Sequence, residues 1–120
     1  MKPTNDFLRS GCPIANGLDI FGDKWTLIIL RDLLCGKTTY SELANSPEAI
    51  PTNRLADRLK MLELNGMLRK ELYQTKPKRY KYQLTPKGED TLPILQAISR
   101  WGNKHIEGTW IPPEWFMNAK

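Results

Sequence analysis

The stretch Thr39-Tyr-Ser-Glu-Leu-Ala-Asn-Ser-Pro-Glu-Ala-Ile-Pro-Thr-Asn-Arg-Leu-Ala-Asp-Arg-Leu-Lys-Met-Leu-Glu-Leu-Asn-Gly66 predicts two helices joined by a short turn. Its first four residues form a capping box, in which the Thr39 hydroxyl accepts from the Glu42 amide while the Glu42 side chain reaches back. The helix that starts there must end before Pro47, because the residue preceding a proline disfavours helical dihedrals. We therefore expect a short first helix and a brief connection.

The second helix is predicted to run from about Thr52 to Asn65. Pro51 suits its start, because the N–H that proline lacks has no partner in the first turn of a helix. Gly66 suits its end. Three leucines at i, i+4 and i+7 define a buried stripe, namely Leu55, Leu59 and Leu62. The outward face is then polar and, near its N-terminal end, cationic.

Beyond Gly66 the apolar pattern changes from a helical period to the alternation of β-strands. The segments Leu68–Thr75 and Arg79–Leu84 are each typical of a strand. In the second strand Tyr80 and Tyr82 share one face with Leu84. The loop Lys76-Pro-Lys78 joins the two segments, so the sequence predicts a hairpin with a basic tip.

Helices are also predicted on both sides of this unit. The run from Lys24 to about Cys35 is apolar nearly all round and too short to span a bilayer, which favours a central buried helix. Asp23 can cap that helix, and Pro13–Phe21 is expected to form a shorter helix before it. Thr85-Pro86 opens a last helix, which Pro93 is expected to kink.

The 120 residues fit one compact domain, with 40% hydrophobic and 26% charged residues excluding wholesale disorder. No run approaches the roughly eighteen apolar residues of a membrane span, and Met1–Asp6 lacks the apolar core of a signal peptide. We expect a cytoplasmic, nucleoid-associated protein with no membrane partner.

The net charge of +5 is unevenly distributed along the chain. The segment Pro51–Tyr82 has nine basic and three acidic residues, a formal charge of +6, and the remainder carries −1. A basic segment on a nearly neutral body suggests a polyanion, either nucleic acid or an anionic membrane surface. Charge alone favours a solvated surface equally well, so the position of the basic residues has to decide.

The helix pair and the basic hairpin that follows it together predict a winged helix-turn-helix, mainly α with a two-stranded β-hairpin wing (α+β). In this motif the second helix lies in the DNA major groove and its N-terminal residues reach base edges. Arg suits guanine and Asn suits adenine, while basic side chains of the wing suit phosphates. The expected contacts to double-stranded DNA are Thr39, Ser41, Thr52, Asn53, Arg54, Asp57, Arg58, Lys76, Lys78 and Arg79.

Several motifs occur in a characteristic order between about Cys12 and His105. They are Cys12-Pro-Ile14, Phe21-Gly-Asp-Lys-Trp-Thr26, Tyr40-Ser-Glu-Leu43, Leu55-Ala-Asp-Arg-Leu-Lys-Met-Leu-Glu-Leu-Asn-Gly-Met-Leu68, Tyr80-Lys-Tyr-Gln-Leu-Thr-Pro-Lys-Gly88, Leu92-Pro93 and Trp101-Gly102. The set resembles the HxlR-type bacterial transcriptional regulators. The resemblance implies a dimeric winged-helix repressor or activator, related to the MarR type, whose terminal helices form the dimer interface. Pro51 departs from the small polar residue that many relatives have there.

Apolar residues near both ends of the chain also favour a homodimer. They are Phe7, Leu8, Ile14, Ile98, Trp101, Trp110, Trp115 and Phe116. We expect one domain over residues 1–120, with a DNA-reading core at about 24–84 and dimerisation segments at about 7–22 and 86–116. A two-fold dimer places its recognition helices about 34 Å apart and requires a pseudo-palindromic operator. The alternative is that both ends pack on their own domain.

The two cysteines have different expected roles. Cys35 at the end of the central helix is most simply a small core residue. Cys12 lies in a Gly-Cys-Pro turn at a predicted helix N-terminus, where the helix dipole favours the thiolate. The resemblance implies a regulatory thiol there, because some HxlR-type members respond to electrophiles or oxidants through a cysteine at this place. The alternative is a packed, unreactive thiol.

The sequence lacks the residue patterns of a catalytic site, of a metal site and of a cofactor-binding loop. His105 is the only histidine, and Gly22-Asp-Lys24 lacks the glycine spacing of a phosphate-binding loop. We therefore expect a regulator, not an enzyme, with no cofactor and with an effector that is either a small molecule or a thiol-reactive compound. Two alternatives stay open: a winged helix that binds a protein through its Trp110–Phe116 tail, and nonspecific nucleic-acid binding by the basic segment.

Overall fold

Seven helices and one antiparallel hairpin follow one another along residues 9–120, which are the part of the chain that the computed structural model describes. The elements are α1 (Pro13–Phe21), α2 (Thr26–Leu34), α3 (Tyr40–Ala44), α4 (Thr52–Leu64), β1 (Leu68–Thr75), β2 (Lys78–Leu84), α5 (Pro86–Glu89), α6 (Leu92–His105) and α7 (Glu114–Met117). This order confirms the predicted class, mainly α with a two-stranded wing. No helix within residues 9–120 has the length and apolarity needed to cross a membrane.

The core is formed mainly by α2, α3 and α4. Ile29, Leu30, Leu43, Leu55 and Leu62 are each no more than 2% exposed and belong to one cluster. Burying a side chain of this size contributes about 1.5–3 kcal/mol. The predicted leucine stripe of α4 is therefore confirmed as the side that packs inward, which leaves the opposite side of that helix to solvent.

The N-terminus of α2 is capped by Asp23, as predicted, although the helix begins at Thr26 and not at Lys24. The Asp23 carboxylate accepts from the amides of Trp25 (2.9 Å) and Thr26 (3.0 Å) and from the Thr26 hydroxyl. Partial burial opposes ionisation of Asp23, but these hydrogen bonds outweigh it and lower its pKa. The cap therefore stays charged at neutral pH.

The predicted capping box at the start of α3 is present in full. The Thr39 hydroxyl accepts from the Glu42 amide at 3.2 Å, and the Glu42 carboxylate accepts from the amides of Thr38 and Thr39, each at 3.0 Å. These backbone hydrogen bonds lower the pKa of Glu42. The start of α3 is thus fixed by hydrogen bonds among residues close together in the sequence.

The wing is attached to this helix pair by backbone hydrogen bonding. β1 and β2 pair from Leu68 opposite Leu84 to Thr75 opposite Lys78, with a bulge at Tyr73 and a two-residue turn at the tip. The amide of Tyr82 donates to the carbonyl of Thr38 at 2.7 Å. The residues just before α3 therefore act as a third, very short strand that fixes the wing beside the helix-turn-helix.

The C-terminal part differs from the sequence prediction at Pro93. The expected single kinked helix is two helices, since α5 ends at Glu89 and α6 begins at Leu92. Pro93 occupies the first turn of α6, where its missing N–H leaves no intrahelical hydrogen bond unmade. The prediction of a kink was therefore wrong, because the same proline is compatible with a helix start.

The tail after α6, which showed no pattern in the sequence, folds back on the domain. Phe116 in α7 is only 5% exposed and belongs to the core cluster. The Gln96 side-chain amide of α6 donates to the carbonyls of Phe116 and Ala119, both at 2.9 Å. Phe116 thus packs within its own chain and was wrongly assigned to a dimer surface.

The other apolar residues assigned to that surface have different outcomes. Ile14, Ile98, Trp101, Trp110 and Trp115 are between 50% and 72% exposed. Phe7 and Leu8 lie outside the described residues.

Cys35 is solvent-exposed at the C-terminal cap of α2, so its prediction as a core residue was wrong. Cys35 is the C-cap residue, beyond the last residue of α2, where it is open to solvent.

Candidate nucleic-acid interface

The turn before α4, residues 45–51, and the first residue of α4 are held by side chains of two neighbouring helices, α2 and α3. The Tyr40 hydroxyl of α3 donates to the carbonyl of Thr52 at 3.1 Å. The Arg31 guanidinium of α2 donates through two nitrogens to the Glu48 carboxylate, both at 2.8 Å. Glu48 also accepts from the Ser46 hydroxyl at 2.7 Å. These contacts fix the N-terminal end of α4 relative to the core.

Four predicted base contacts lie together on the exposed face of that end. Thr52, Asn53, Arg54 and Asp57 are all exposed, because the leucine stripe turns the opposite side of α4 inward. Arg54 forms no ion pair with any side chain of residues 9–120. A helix end that presents uncommitted amide, hydroxyl and guanidinium groups has the chemistry needed to read base edges.

Arg58 is placed differently from the other predicted contacts. It is half-buried, and its Nη1 atom lies 3.7 Å from Oδ1 of Asp23. The guanidinium therefore faces the start of α2, on the flank of α4. This arrangement joins the α2 cap to α4, a contact across more than thirty residues that the helical period of α4 could not reveal.

The two predicted DNA contacts at the start of α3, Thr39 and Ser41, differ in the hydrogen bonds that they already form. The Thr39 hydroxyl accepts from the Glu42 amide and donates to its carboxylate at 3.1 Å, so both of its functions serve the capping box. Ser41 is exposed, one residue into α3. Its hydroxyl lies 3.4 Å from that of Thr39. Ser41 is therefore the freer of the two to meet a phosphate.

The tip of the wing presents the three remaining predicted contacts. Lys76, Lys78 and Arg79 are exposed on either side of the two-residue turn. The Gln74 side-chain amide donates to the carbonyls of Lys76 and Pro77, each at 3.2 Å, which holds the turn. Two further wing lysines, which the sequence did not single out, lie over tyrosine rings: Lys70 over Tyr80 at 4.7 Å and Lys81 over Tyr73 at 5.5 Å.

The positive charge of this region is largely unneutralised. Among the nine basic residues of the segment 51–82, only Arg58 has an ion-pair partner within residues 9–120. Eight cations therefore face solvent on one helix and the adjoining wing. Such a surface binds phosphates with release of counterions.

Tyr40 is a positioning residue that the sequence analysis missed. Its hydroxyl joins the first turn of α3 to the first residue of α4. The capping box identified its neighbours Thr39 and Glu42 through local spacing. A contact twelve residues along the chain leaves no such local signal.

Both cysteines are free and solvent-exposed. Cys12 caps α1 through its backbone, and its side chain makes no capping hydrogen bond. The alternative of a packed Cys12 thiol is thus not what the structure shows. Partial burial and the nearby Asp32 carboxylate raise the pKa of the Cys35 thiol. No cluster of three or more metal-ligating side chains is found within residues 9–120.

Two braced helices, an exposed polar helix end and a cationic wing define a winged helix-turn-helix transcriptional regulator. The chain belongs to the HxlR-like helix-turn-helix family, whose model matches residues 20–109. It is 31% identical over 96 residues to an uncharacterized HTH-type transcriptional regulator of Synechocystis sp., sll1512, which covers 80% of this chain and 71% of the relative. The family and these relatives are regulators and not enzymes, as the sequence predicted.

Two solved structures extend this similarity to the fold. The redox regulator HypR in its reduced form is 28% identical, with a TM-score of 0.73, and the alignment covers 80% of this chain and 95% of HypR. The reduced form of the transcriptional regulator YodB from B. subtilis is 25% identical, with a TM-score of 0.67, covering 84% of this chain and all of YodB. Helix-turn-helix regulators bind DNA, which agrees with the charge of α4 and the wing.

Proposed function

We propose that this regulator binds a specific, pseudo-palindromic operator as a homodimer. The observation that carries the proposal is the uncommitted polar end of α4 beside a wing whose cations have no ion-pair partner within residues 9–120. The side chains next to this surface already cap a helix or hold the turn before α4, whereas the side chains at the end of α4 and at the wing tip do not. A regulator bound to operators acts on the nucleoid.

In this proposal the first two turns of α4 contact the base edges. Arg54 pairs with guanine and Asn53 with adenine, and Thr52 and Asp57 supply further donors and acceptors. Arg58 positions the helix through Asp23 and reaches DNA only at the flank. Ser41 and the wing residues Lys76, Lys78 and Arg79 contact the phosphate backbone and set the register, while Thr39, whose hydroxyl serves the capping box, positions Ser41.

Dimerisation is supported by apolar side chains that the described chain leaves uncovered on α1, on α6 and at the C-cap of α6. They are Ile14, Leu18, Ile94, Ile98, Trp101 and Ile106. Exposed apolar surface on this scale marks an interaction site. We assign the DNA-reading core to about 24–84 and dimerisation to about 7–22 and 86–106, leaving the core residue Phe116 out. A two-fold axis then places two α4 helices about 34 Å apart.

A thiol-reactive effector is supported by the exposure of Cys12 at the start of α1, next to the proposed dimer surface. HypR has also been solved in an oxidized form and YodB after diamide treatment. Diamide would oxidise Cys12 of the two copies to one disulfide, itself taking up the two electrons and two protons that the thiols release. This bond, or alkylation of Cys12, would change the packing of α1 and so the spacing of the two α4 helices. Cys12→Ser is expected to retain DNA affinity and lose its sensitivity to diamide.

Cys35→Ser is the matched control, because Cys35 is the other exposed thiol of the chain. It is expected to lose DNA binding on diamide treatment as the wild type does. Wild-type protein that keeps its DNA affinity in diamide would rule out a thiol switch. Diamide sensitivity that is lost in Cys35→Ser and kept in Cys12→Ser would show that the regulatory thiol is Cys35 and not Cys12.

A protein-binding winged helix is a second candidate, favoured by the exposed rings of Trp110 and Trp115. Fluorescence anisotropy with the DNA upstream of the protein's own coding sequence separates the candidates. Specific binding survives excess competitor DNA, and log K falls with log salt by about 0.9 per phosphate contact. Binding that competitor removes would indicate nonspecific association, and no binding at low salt would leave the protein-binding role.

A further inference from the structure

The helix that is proposed to read bases, α4, begins without a side-chain cap. Its N-cap residue is Pro51, whose backbone is extended with φ −63° and ψ 142°, and no side-chain hydrogen bond caps the helix within residues 9–120. Helices α3 and α5 begin instead with Thr39 and Thr85, whose hydroxyls accept from backbone amides. The first amides of a helix have no intrahelical partner, so an uncapped start is less stable. Other contacts therefore have to hold the start of α4.

The turn before α4 is held by a network of alternating charges. At its centre is Asp32, a buried residue of α2, whose Oδ1 atom accepts from Arg31 Nε at 3.0 Å. The same guanidinium donates to both carboxylate oxygens of Glu48. Lys37 Nζ lies 3.7 Å from the other Asp32 oxygen, Oδ2, and 3.5 Å from the carbonyl oxygen of Asn45. Asp32 thus anchors two cations, and each of them reaches a different residue of the turn.

The network is most buried at Asp32. The side chain of Asp32 is 8% exposed, that of Arg31 is 23% exposed and that of Glu48 is 40% exposed. A buried carboxylate is destabilising unless it is paired, so Asp32 requires its cations. Hydrogen bonding to Arg31 lowers the pKa of Glu48 to about 2, and the outer pair therefore stays ionised at neutral pH. The Asp32 carboxylate orients the guanidinium, and the guanidinium orients Glu48.

The turn requires this support because of the backbone of Ala49. Its φ is 58°, in the left-handed region, which is unfavourable for a residue with a Cβ atom. On one side of it, Glu48 is held by Arg31 and accepts from the Ser46 hydroxyl at 2.7 Å. On the other side, Ile50 is 5% exposed and packs in the core. Glu48 and Ile50 therefore hold the strained residue from both sides.

We propose that Asp32, Arg31 and Glu48 are positioning residues for DNA binding, and that their ion-pair network takes the place of the missing N-cap of α4. None of the three has to touch DNA. The network holds the turn that ends at Pro51, and the Pro51 carbonyl accepts the first helical hydrogen bond of α4 from the Leu55 amide at 3.0 Å. This positioning of α4 stands by itself, whereas its effect on DNA binding rests on the function proposed above.

The first experiment measures amide hydrogen exchange of the full chain without DNA, in wild type and in Glu48→Gln. We expect exchange at residues 55–58, the first hydrogen-bonded amides of α4, to become about tenfold faster, because the start of the helix opens more often. Exchange at residues 60–64, near the other end of the same helix, is expected to stay as in wild type. Glu89→Gln changes an exposed carboxylate of α5 outside the network, and this matched control is expected to alter neither region.

Two exchange results would overturn the positioning role. One is equal exchange at residues 55–58 in wild type and Glu48→Gln, and the other is an increase spread evenly over α2, α3 and α4, which would indicate a general loss of stability. Asp32→Asn keeps the shape of the side chain and is expected to give the same local increase. Circular dichroism verifies the fold of each variant, and Glu48→Gln decides the question where the buried substitution unfolds the chain.

The second experiment measures affinity for the DNA site that the wild type selects from randomised sequences. Glu48→Gln and Glu89→Gln each remove one negative charge, which by itself strengthens binding to DNA. We expect Glu89→Gln to bind as tightly as wild type or more tightly. Glu48→Gln is expected to bind about tenfold more weakly, an effect of the size that follows loss of a helix cap. The direction of the change therefore separates positioning from charge.

Pro51→Ser supplies the cap that the network replaces. The extended backbone at Pro51 suits a serine N-cap, whose hydroxyl accepts from first-turn amides. In that background Glu48→Gln is expected to lose no more than about twofold in DNA affinity, because the two substitutions act on the same helix start. An equal loss with and without Pro51→Ser, or a Glu48→Gln affinity that matches Glu89→Gln, would overturn the proposal. Wild-type protein that selects no DNA sequence would refute the proposed function, while hydrogen exchange would still test the positioning of α4.

Discussion

Truncation of Phe116 to alanine tests how the C-terminal tail contributes to the fold. The side chain is 5% exposed and belongs to the core cluster, although it lies in the short tail, four positions before Lys120. Buried phenylalanine-to-alanine changes cost about 3–5 kcal/mol. We expect the lower end, about 3 kcal/mol, because a short tail can relax around the space that is left.

The expected shift in melting temperature follows from the chain length. With about 2.1 cal/mol/K of unfolding entropy per residue, 120 residues give roughly 0.25 kcal/mol/K. A loss of about 3 kcal/mol then lowers Tm by roughly 12 °C. Trp115→Ala is the matched control, since this neighbouring ring is 60% exposed and its loss should cost under about 1 kcal/mol.

Thermal and urea unfolding followed by circular dichroism provide the measurement, at several protein concentrations. The reasoning requires the same loss at every concentration, because Phe116 packs within its own chain. A Phe116→Ala protein within about 1 kcal/mol of wild type would show that the ring is not in the core. A loss that grows on dilution would show that the ring belongs to a dimer interface after all.

Three further predictions concern the elements that carry the site. Gly88→Ala is expected to destabilise by several kcal/mol in urea unfolding, because its Cβ would lie 2.1 Å from the Met67 carbonyl oxygen; a loss below about 1 kcal/mol would contradict this packing. Glu42 has a lowered pKa, so its contribution is present above pH about 4.5 and lost as pH falls through the folded pKa. The stability gap between wild type and Glu42→Ala should therefore shrink on acidification, and a constant gap from pH 7 to 3 would be inconsistent with an ionised cap. Lys78→Ala should weaken binding to all DNA sequences alike and reduce the salt slope by about one phosphate contact; a change confined to one operator position would give Lys78 a base-reading role instead.

Local chemistry made the reading unit of this fold predictable from sequence. The capping box from Thr39 to Glu42, the leucine stripe of α4 and the alternation in Arg79–Leu84 each depend on residues within about two turns of one another. The exposure of the N-terminal face of α4 follows directly from its leucine stripe. These elements therefore lie in the structure close to their predicted positions.

Contacts between distant segments were not predictable in this way. Gln96 meets the Phe116 carbonyl across twenty residues, and Arg58 approaches Asp23 across a longer interval. Neither contact has a period or a spacing that would reveal it. The tail, the role of Arg58 and the exposure of Cys35 were for this reason found only in the structure.

Selection of binding sites from randomised DNA by wild type and by Arg54→Ala is the most direct test of the central claim that the N-terminal face of α4 reads bases. Because Arg54 is exposed and has no ion-pair partner within residues 9–120, the substitution leaves the packing of α4 unchanged. We predict that Arg54→Ala loses about 1–3 kcal/mol of discrimination at one base pair in each half-site and keeps the preference elsewhere. An Arg54→Ala protein that selects the wild-type sequence with undiminished preference would contradict the account.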